Sequence, residues 1–408
     1  MGNKIVFIGG CWEEDKEVDI IEYSMGAVQN AANVFQKNII DGLDRFSENG
    51  TTVLSAIFIG AYPFRYKKMC IKGGSFNHIQ MGLHTDYYIP FINLLVLKHF
   101  SRIHNYKKII KKLLKHSSNE NIYFVGYSMT LSTVEALLYA KKINPKVKTC
   151  LIIPDLPEYM NLGGGKQIIK NILKGVSNKR LYSDVKKIDA YVMLTKYMTE
   201  KIDTSGKKIC VVEGIASADT VIKSSKLDDD LKRIVYTGTL DEKYGIRDLV
   251  DAFVEINDKS ARLVICGYGD SENYIKEKCK KDPRIDYRGT VKNEVAKSLQ
   301  QDAYFLINPR NSQEEYTKYS FPSKTLEYMK SGRPVLMYKL KGIPDEYDNY
   351  IFYIEEDMKK SIEKLLNIDR IKMEKIGNKA KEFVELEKNK YKQTDKIHSL
   401  LLSIGEDR

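Results

Sequence analysis

Residues 319–336 read YSFPSKTLEYMKSGRPVL, a turn, a short amphipathic helix and the start of a strand. Ser320 is an acceptable N-cap, and Pro322 suits a first helical turn, where a missing N–H costs nothing. Leu326, Met329 and Lys330 continue at helical spacing; Gly332 ends the helix, and Pro334 leads into the strand-like VLMY of 335–338. Glu327 is expected buried in the second turn of that helix. A helix N-terminus exposes unsatisfied N–H groups and the positive end of its dipole. With Lys324 beside it, the turn is expected to hold an anion, and phosphate is the usual guest.

The same strand–helix alternation extends outward in both directions. KIVFIGG (4–10), TTVLSAIFIG (51–60), NIYFVGYS (121–128), VKTCLIIPD (147–155), DAYVMLT (189–195) and KKICVVEG (207–214) form one strand-like series. A second series follows residue 215: RIVYTGT (233–239), ARLVICGYG (261–269), RIDYRGT (284–290), AYFLINPR (303–310), PVLMY (334–338) and IFYI (351–354). Helical patterns at 26–43, 246–257, 293–301 and 360–366 fill gaps between them. Continuous Val/Ile/Leu strands separated by helices predict parallel sheets covered on both faces. The fold class is therefore α/β, with two Rossmann-like domains. The expected boundaries are 1–215 for the first domain, a polar linker at 216–232 (ASADTVIKSSKLDDDLK), and 233–385 for the second. The Lys/Glu-rich stretch 370–403 reads as helical, and 386–408 is expected to close the fold, packing back on the first domain.

The chain has 408 residues and 43% hydrophobic content, enough for two ordinary cores. Six cysteines are scattered without a CxxC pair, and six histidines form no HxH or HExxH pair, so neither a disulfide framework nor a metal site is expected. The sequence enters a strand almost at once, so no signal peptide is expected. The longest apolar run, YYIPFINLLVL (87–97), falls short of the roughly 20 residues a bilayer span needs.

Charge is unevenly placed. Residues 1–215 carry 30 Lys and Arg against 19 Asp and Glu, and residues 216–408 carry 36 against 35. Within 65–148 the count is 15 against 3. Such a local excess points to an anionic partner. Residues 98–116, KHFSRIHNYKKIIKKLLKH, place Phe100, Ile103, Tyr106, Ile109, Ile110, Leu113 and Leu114 on one helical stripe, flanked by Lys107, Lys108, Lys111, Lys112 and Lys115. Taken alone that pattern also fits an ordinary helix whose apolar face lies on a sheet, but the preceding apolar run 87–97 and the charge excess of 65–148 make an anionic membrane surface the expected partner of 98–116. A nucleic acid fits less well, because the segment lacks interleaved base-stacking motifs.

Some motifs are weak. GGGKQ (163–167) lacks the GxxxxGK[ST] spacing of a phosphate loop, and the lone GxG of LVICGYGDSE (263–272) is explained as readily by a tight turn. YTGTLDEKYGIRDLVDAF (236–253) says more: a strand ends at Gly238, a loop carries Lys243, and Gly245 opens a helix. LINPRNSQEEYTKYSFPSK (306–324) delivers Arg310, Glu314, Glu315, Lys318 and Lys324 after another strand. Arg suits bidentate phosphate contact and Lys a point charge. Lys243, Arg310 and Lys324, each beyond the carboxyl end of a strand, are expected to converge on one crevice.

These elements, with YRGTV (287–291) and LKGIPDEY (340–347), resemble the nucleotide-sugar domain of retaining family 4 glycosyltransferases of the GT-B fold, in the subset found in bacterial surface-polysaccharide biosynthesis. IPDLPEYM (153–160), DAYVMLTKYM (189–198) and VVEGI (211–215) resemble the end of that family's N-terminal domain. The resemblance implies two domains facing across a cleft and transfer of a sugar from a nucleotide diphosphate to a glycan hydroxyl, with retention and without metal or cofactor. It further implies an acceptor linked to a lipid such as undecaprenol, and work at the inner face of the cell membrane. By resemblance Glu327 accepts the nucleotide ribose and Lys243 meets the diphosphate. The family's partner glutamate falls on Tyr319, leaving Glu314 or Glu315 to take its place. The arginine usual after the first glycine is Thr239, with Arg310 to compensate. Gly238, Arg288 and Ser323 complete the donor side, Gly26 matches a glycine loop facing the donor phosphate, and Asp155 matches an acceptor-side acid or caps its own turn. Two rivals remain: a phosphorylase or epimerase on the same plan, and a non-catalytic partner subunit.

Overall fold

In the computed structural model, which describes residues 3–26, 28–79, 85–115, 121–159, 178–216, 231–311 and 313–405, the apolar runs become the strands of two large sheets, and Cys70–Ile71 pairs with Phe91–Ile92 in a small antiparallel one. One unit comprises Met1–Ile215 with Lys390–Arg408, the other Ala216–Asn389.

The second unit has six strands in the order Ile285–Tyr287, Ala261–Cys266, Lys232–Thr237, Phe305–Asn308, Val335–Tyr338 and Phe352–Ile354, all parallel. In chain order this is 3-2-1-4-5-6, the Rossmann arrangement, whose order reverses between the first and fourth strands. Alternate residues feed opposite layers. Ile234, Leu263, Ile265, Phe305 and Ile307 meet Leu249, Val250 and Phe253 of helix Ile246–Val254 on one face. Val235, Val264, Leu306, Val335 and Met337 meet Tyr328, Met329 and Val384 on the other. Both faces are dry, which is why the strands read as unbroken apolar runs.

The main sheet of the first unit has, among the described residues, eight strands in the order Lys208–Val211, Ala190–Met193, Lys148–Ile153, Asn121–Tyr127, Asn3–Gly9, Thr52–Ser55, Asp86–Tyr88 and Gly74–Phe76. All neighbours are parallel except the last pair. Helix Lys390–Gly405 belongs to this unit: Ile397, Leu400, Leu401 and Ile404 enter the same core as Ile5, Phe7 and Val125. It crosses helix Asn30–Leu43 closely, for a Cβ on Gly42 would lie 2.4 Å from Thr394 Oγ1.

Several elements differ from expectation. The stretch 370–403 is two helices, Arg370–Glu387 and Lys390–Gly405, and the units divide at the break. The helix expected over 26–43 begins at Asn30, leaving Gly26, at φ +130°, outside it, and an unforeseen acidic helix, Glu14–Tyr23, precedes it. Ser320 is extended and is not the helix N-cap; it ends the preceding turn, its hydroxyl donating to Tyr316 O at 3.2 Å. A 3-10 turn, Glu315–Tyr319, comes first, and the helix runs only Lys324–Lys330, with Glu327 half-exposed in its first turn. In helix Leu97–Leu114, Ile103, Tyr106, Ile110 and Leu114 are buried, but Phe100 leaves the expected stripe and faces solvent. GGGKQ and most of the expected linker, 217–230, lie outside the described residues.

Candidate active site

Strands Lys232–Thr237 and Phe305–Asn308 are neighbours, so the segments leaving their carboxyl ends meet where the strand order reverses. Open α/β sheets bind ligands there. Two glycines make the approach tight. Gly267 has φ +145°, and a Cβ there would stand 1.8 Å from the Gly238 carbonyl oxygen. Gly245 has φ +74°, and its Cβ would stand 2.3 Å from Pro309 O. Only glycine accepts either place, so the loops 238–245 and 309–323 close on one another.

Arg310 is the most unusual charge in this region. Its residue is 9% exposed, one terminal nitrogen donates to Ser320 Oγ at 2.8 Å, and its buried Nε has no hydrogen-bond partner. The guanidinium lies 4.5 Å from the Tyr316 ring centroid and 5.9 Å from that of Tyr244. Among the described residues no carboxylate pairs with it. Burying a cation against a hydroxyl and two ring faces leaves most of its solvation uncompensated. An anion would supply what is missing.

Lys243 approaches from the neighbouring loop. Its ammonium lies 5.1 Å from the same Tyr244 ring and only 3.8 Å from Asp241, an exposed pair of little strength. Tyr244 is thus shared between the two cations. Lys324 is differently placed, since its Nζ bonds both oxygens of Glu327, at 2.9 and 2.8 Å. That contact engages it in an i,i+3 ion pair at the start of its helix. Gln300 Nε2 donates to Glu327 Oε1 at 2.6 Å and to Thr237 Oγ1 at 2.8 Å. Buried Tyr328 in turn donates its hydroxyl to the Thr237 carbonyl at 3.0 Å and accepts the Thr237 N–H at 2.8 Å. Glu327 is therefore fixed to the strand end by a chain of buried polar contacts.

The remaining donor-side residues are less convergent. Gly238 N–H donates to Cys266 O, the Thr239 carbonyl accepts from Tyr236, and Ser323 is exposed with no capping bond. Arg288 is turned to Asp286 at 2.8 Å. Tyr319 is buried, and its hydroxyl lies 3.3 Å from exposed Glu315 Oε1. Gly26 and Asp155 belong to the first unit: Gly26 is exposed with open space where a Cβ would stand, and Asp155 is exposed just past strand Lys148–Ile153. Burial first, and then the charge of Asp155, pushes the Tyr127 phenol up. Sequence reading missed Gln300, Ser320, Tyr244 and Tyr316. Gln300 acts over 27 positions, and Tyr316 and Tyr244 matter only through the cations they flank, so no local signal marks them.

Comparison with known proteins places these loops. Residues 231–368 match the family described as glycosyl transferases group 1. The second unit carries a glycosyltransferase group 1 domain. An uncharacterised glycosyltransferase of Methanocaldococcus jannaschii is 28% identical over 125 residues, which is 30% of either chain. Sucrose-phosphate synthase from Thermosynechococcus elongatus superimposes with a TM-score of 0.62 at 11% identity, over 98% of this chain and 99% of that one. The catalytic domain of starch synthase IV from Arabidopsis thaliana, bound to ADP and acarbose, gives 0.62 at 10% identity over 99% and 100%. The lipopolysaccharide outer core galactosyltransferase WaaB gives 0.60 at 14% over 98% and 99%. The chain shares the two-Rossmann-domain fold of these glycosyltransferases, and Arg310, Lys243 and Glu327 all fall within the group 1 domain.

Proposed function

We propose that the protein is a retaining, metal-independent glycosyltransferase that moves a hexosyl group from a nucleoside diphosphate to a glycan hydroxyl. One observation carries this reading: Arg310, a buried guanidinium with an unpaired Nε, stands at the strand-order reversal with Lys243 across Tyr244. In glycosyl transfer the bond between the sugar's anomeric carbon and the diphosphate oxygen breaks, and negative charge grows on the leaving phosphate. Arg310 and Lys243 would stabilise that charge in the transition state, the largest kind of term available to such a site. Glu327, held by Gln300 and Lys324, would accept the ribose hydroxyls. The departing phosphate oxygen would take the acceptor proton on the face it leaves, which needs no protein nucleophile. The acceptor in this reading is a lipid-linked glycan for surface polysaccharide, met at the inner face of the cell membrane. No helix of the described residues is long and apolar enough to cross one.

The test is titration of nucleoside diphosphates and their sugars by calorimetry. Charge-assisted hydrogen bonds contribute about 1.5–3 kcal/mol each, so Arg310→Ala should weaken a diphosphate by roughly 10- to 100-fold. The parent nucleoside should bind unchanged. Equal loss for both would place Arg310 in folding instead of phosphate binding. The second reading, a non-catalytic subunit, draws on Tyr319 and Thr239, where the resemblance would put charged groups. It predicts diphosphate binding without turnover of any nucleotide sugar, by hydrolysis or transfer.

A further inference from the structure

Helix Leu97–Leu114 begins inside out. Position 98 is a lysine whose Nζ donates to the Ile59 carbonyl at 2.7 Å, and position 102 is a buried arginine that donates to the Ile57 carbonyl at 2.8 Å. Burial lowers the Lys98 ammonium to about 6. While these two basic side chains occupy the inward positions, the apolar residues of the same turn and the preceding loop face water. Leu95 is 62% exposed, Val96 59%, Leu97 46% and Phe100 60%. The knuckle is held rather than loose: Asn93 donates to the carbonyls of Gly60 and Lys68, and Tyr62 N–H donates to Asn93 O. Phe100 and Ile92 also wall an apolar groove with Ile71, Pro90 and Phe91. Polarity returns to normal in the second half of the helix, where Tyr106, Ile110 and Leu114 are buried.

The outward strip of this helix runs Phe100, His104, Lys107, Lys111 and Lys115, at spacings of four, three, four and four residues, which keeps them on one face. Lys108 and Lys112 lie beside it. Among the described residues none of these five lysines pairs with a carboxylate. An apolar knuckle continuous with an unneutralised lysine strip matches one surface chemistry in both parts: acyl chains beneath a layer of anionic headgroups. A second copy related by a twofold axis would bring like-charged strips together, and a nucleic acid offers nothing to Leu95, Val96 and Leu97.

We propose that the first unit docks on an anionic phospholipid bilayer, with Leu95, Val96, Leu97 and Phe100 inserted and the lysine strip against the headgroups. This deepens the membrane part of the function proposed above and moves the contact from the expected stripe, which is packed inside, to the knuckle. The bilayer contact stands on the first unit alone, independent of Arg310.

The test is co-sedimentation of the full chain with phosphatidylcholine vesicles, with and without phosphatidylglycerol. Binding to the anionic vesicles is expected, weakening as salt shortens the Debye length from about 10 Å at 0.1 M toward 3 Å at 1 M. Leu95→Ser with Phe100→Ser should lower partitioning by roughly tenfold or more, since each inserted side chain is large and apolar. Both side chains already face water, so an unchanged thermal midpoint and diphosphate affinity should accompany that loss. Lys107→Glu with Lys111→Glu should abolish the preference for phosphatidylglycerol. Wild-type protein left in the supernatant overturns membrane docking while leaving the diphosphate site untouched. Wild-type binding that survives the Leu95→Ser, Phe100→Ser change overturns the knuckle, as does capture by a nucleic acid or dimerisation that the same change abolishes.

Discussion

Gln300 shows how one buried amide can hold a candidate binding group in place. Gln300 is 1% exposed, and its amide holds both Glu327 and Thr237, linking Glu327 to the end of the first strand of its sheet. A carboxylate that must grip two hydroxyls gains from being fixed beforehand, because the ordering cost is not then met on binding. Glu327→Ala should reduce nucleoside affinity roughly 10-fold or more, as expected for a charged hydrogen bond. Gln300→Leu keeps the volume and removes the donor, so it should reduce that affinity by a smaller factor. The informative measurement is the cycle: in the Glu327→Ala background the Gln300→Leu change should have no further effect on binding. Additive losses would mean that Gln300 reaches the ligand by another route. The sequence made Glu327 legible because a helix start, a lysine and a glycine stop surround it. Gln300 lies in an unremarkable helical stretch, and only the sheet order brings it to Glu327.

At the scale of elements, the strands were legible and the caps were not. Runs such as RIVYT and ARLVIC are buried on both faces, so their apolar continuity survives in the sequence. Ser320 had the right residue type for an N-cap, but Arg310 lies 2.8 Å from its hydroxyl, and a long-range partner defeated a local rule. The edge of the first unit's sheet gives another such case. His78 donates there from both ring nitrogens to two carboxylates, with Nδ1 2.7 Å from Asp86 and Nε2 3.2 Å from Asp44. It thereby ties the edge strands to the 3-10 turn Asp44–Phe46. Burial disfavours its charge, but the hydrogen bonds to Asp44 and Asp86 outweigh that and push His78 up to about 9. A group raised in the folded state adds stability that is complete below its unfolded value, near 6.5, and fades as pH climbs through 9. The contribution is at most about 3 kcal/mol. The first unit's thermal midpoint should accordingly fall by several degrees between pH 6.5 and 9.5. In His78→Gln the midpoint should start lower and change less over that range. A variant with the wild-type pH slope would assign the fall to another group.

For the molecule as a whole, the decisive feature is that the first unit is discontinuous in sequence. The chain leaves it at Ile215, builds the second unit, and returns at Lys390. Exit and return are stitched together, for Ala216 N–H donates to Lys388 O at 2.8 Å. Helix Lys390–Gly405 then completes the core begun by the first strands, and Arg45 holds Asp395 at 2.8 Å across its outer edge. The Lys/Glu-rich stretch 370–403 read as one helical segment, because the apolar face of its second half is narrow and the helix Asn30–Leu43 that it crosses lies more than 300 residues earlier. The energetic stakes are large. Burying Ile397, Leu400, Leu401 and Ile404 is worth about 1.5–3 kcal/mol each, or roughly 6–12 kcal/mol together. Whole domains are stable by only about 5–15 kcal/mol. A chain ending at Asn389 should therefore lose the first unit's folding transition while the second unit keeps its own. Calorimetry should show one endotherm in place of two, and diphosphate binding through Arg310 should persist in the truncated chain. Adding the 390–408 segment as a separate peptide should restore the missing transition. Two unaltered transitions after truncation would show that the first unit's core closes without its last helix.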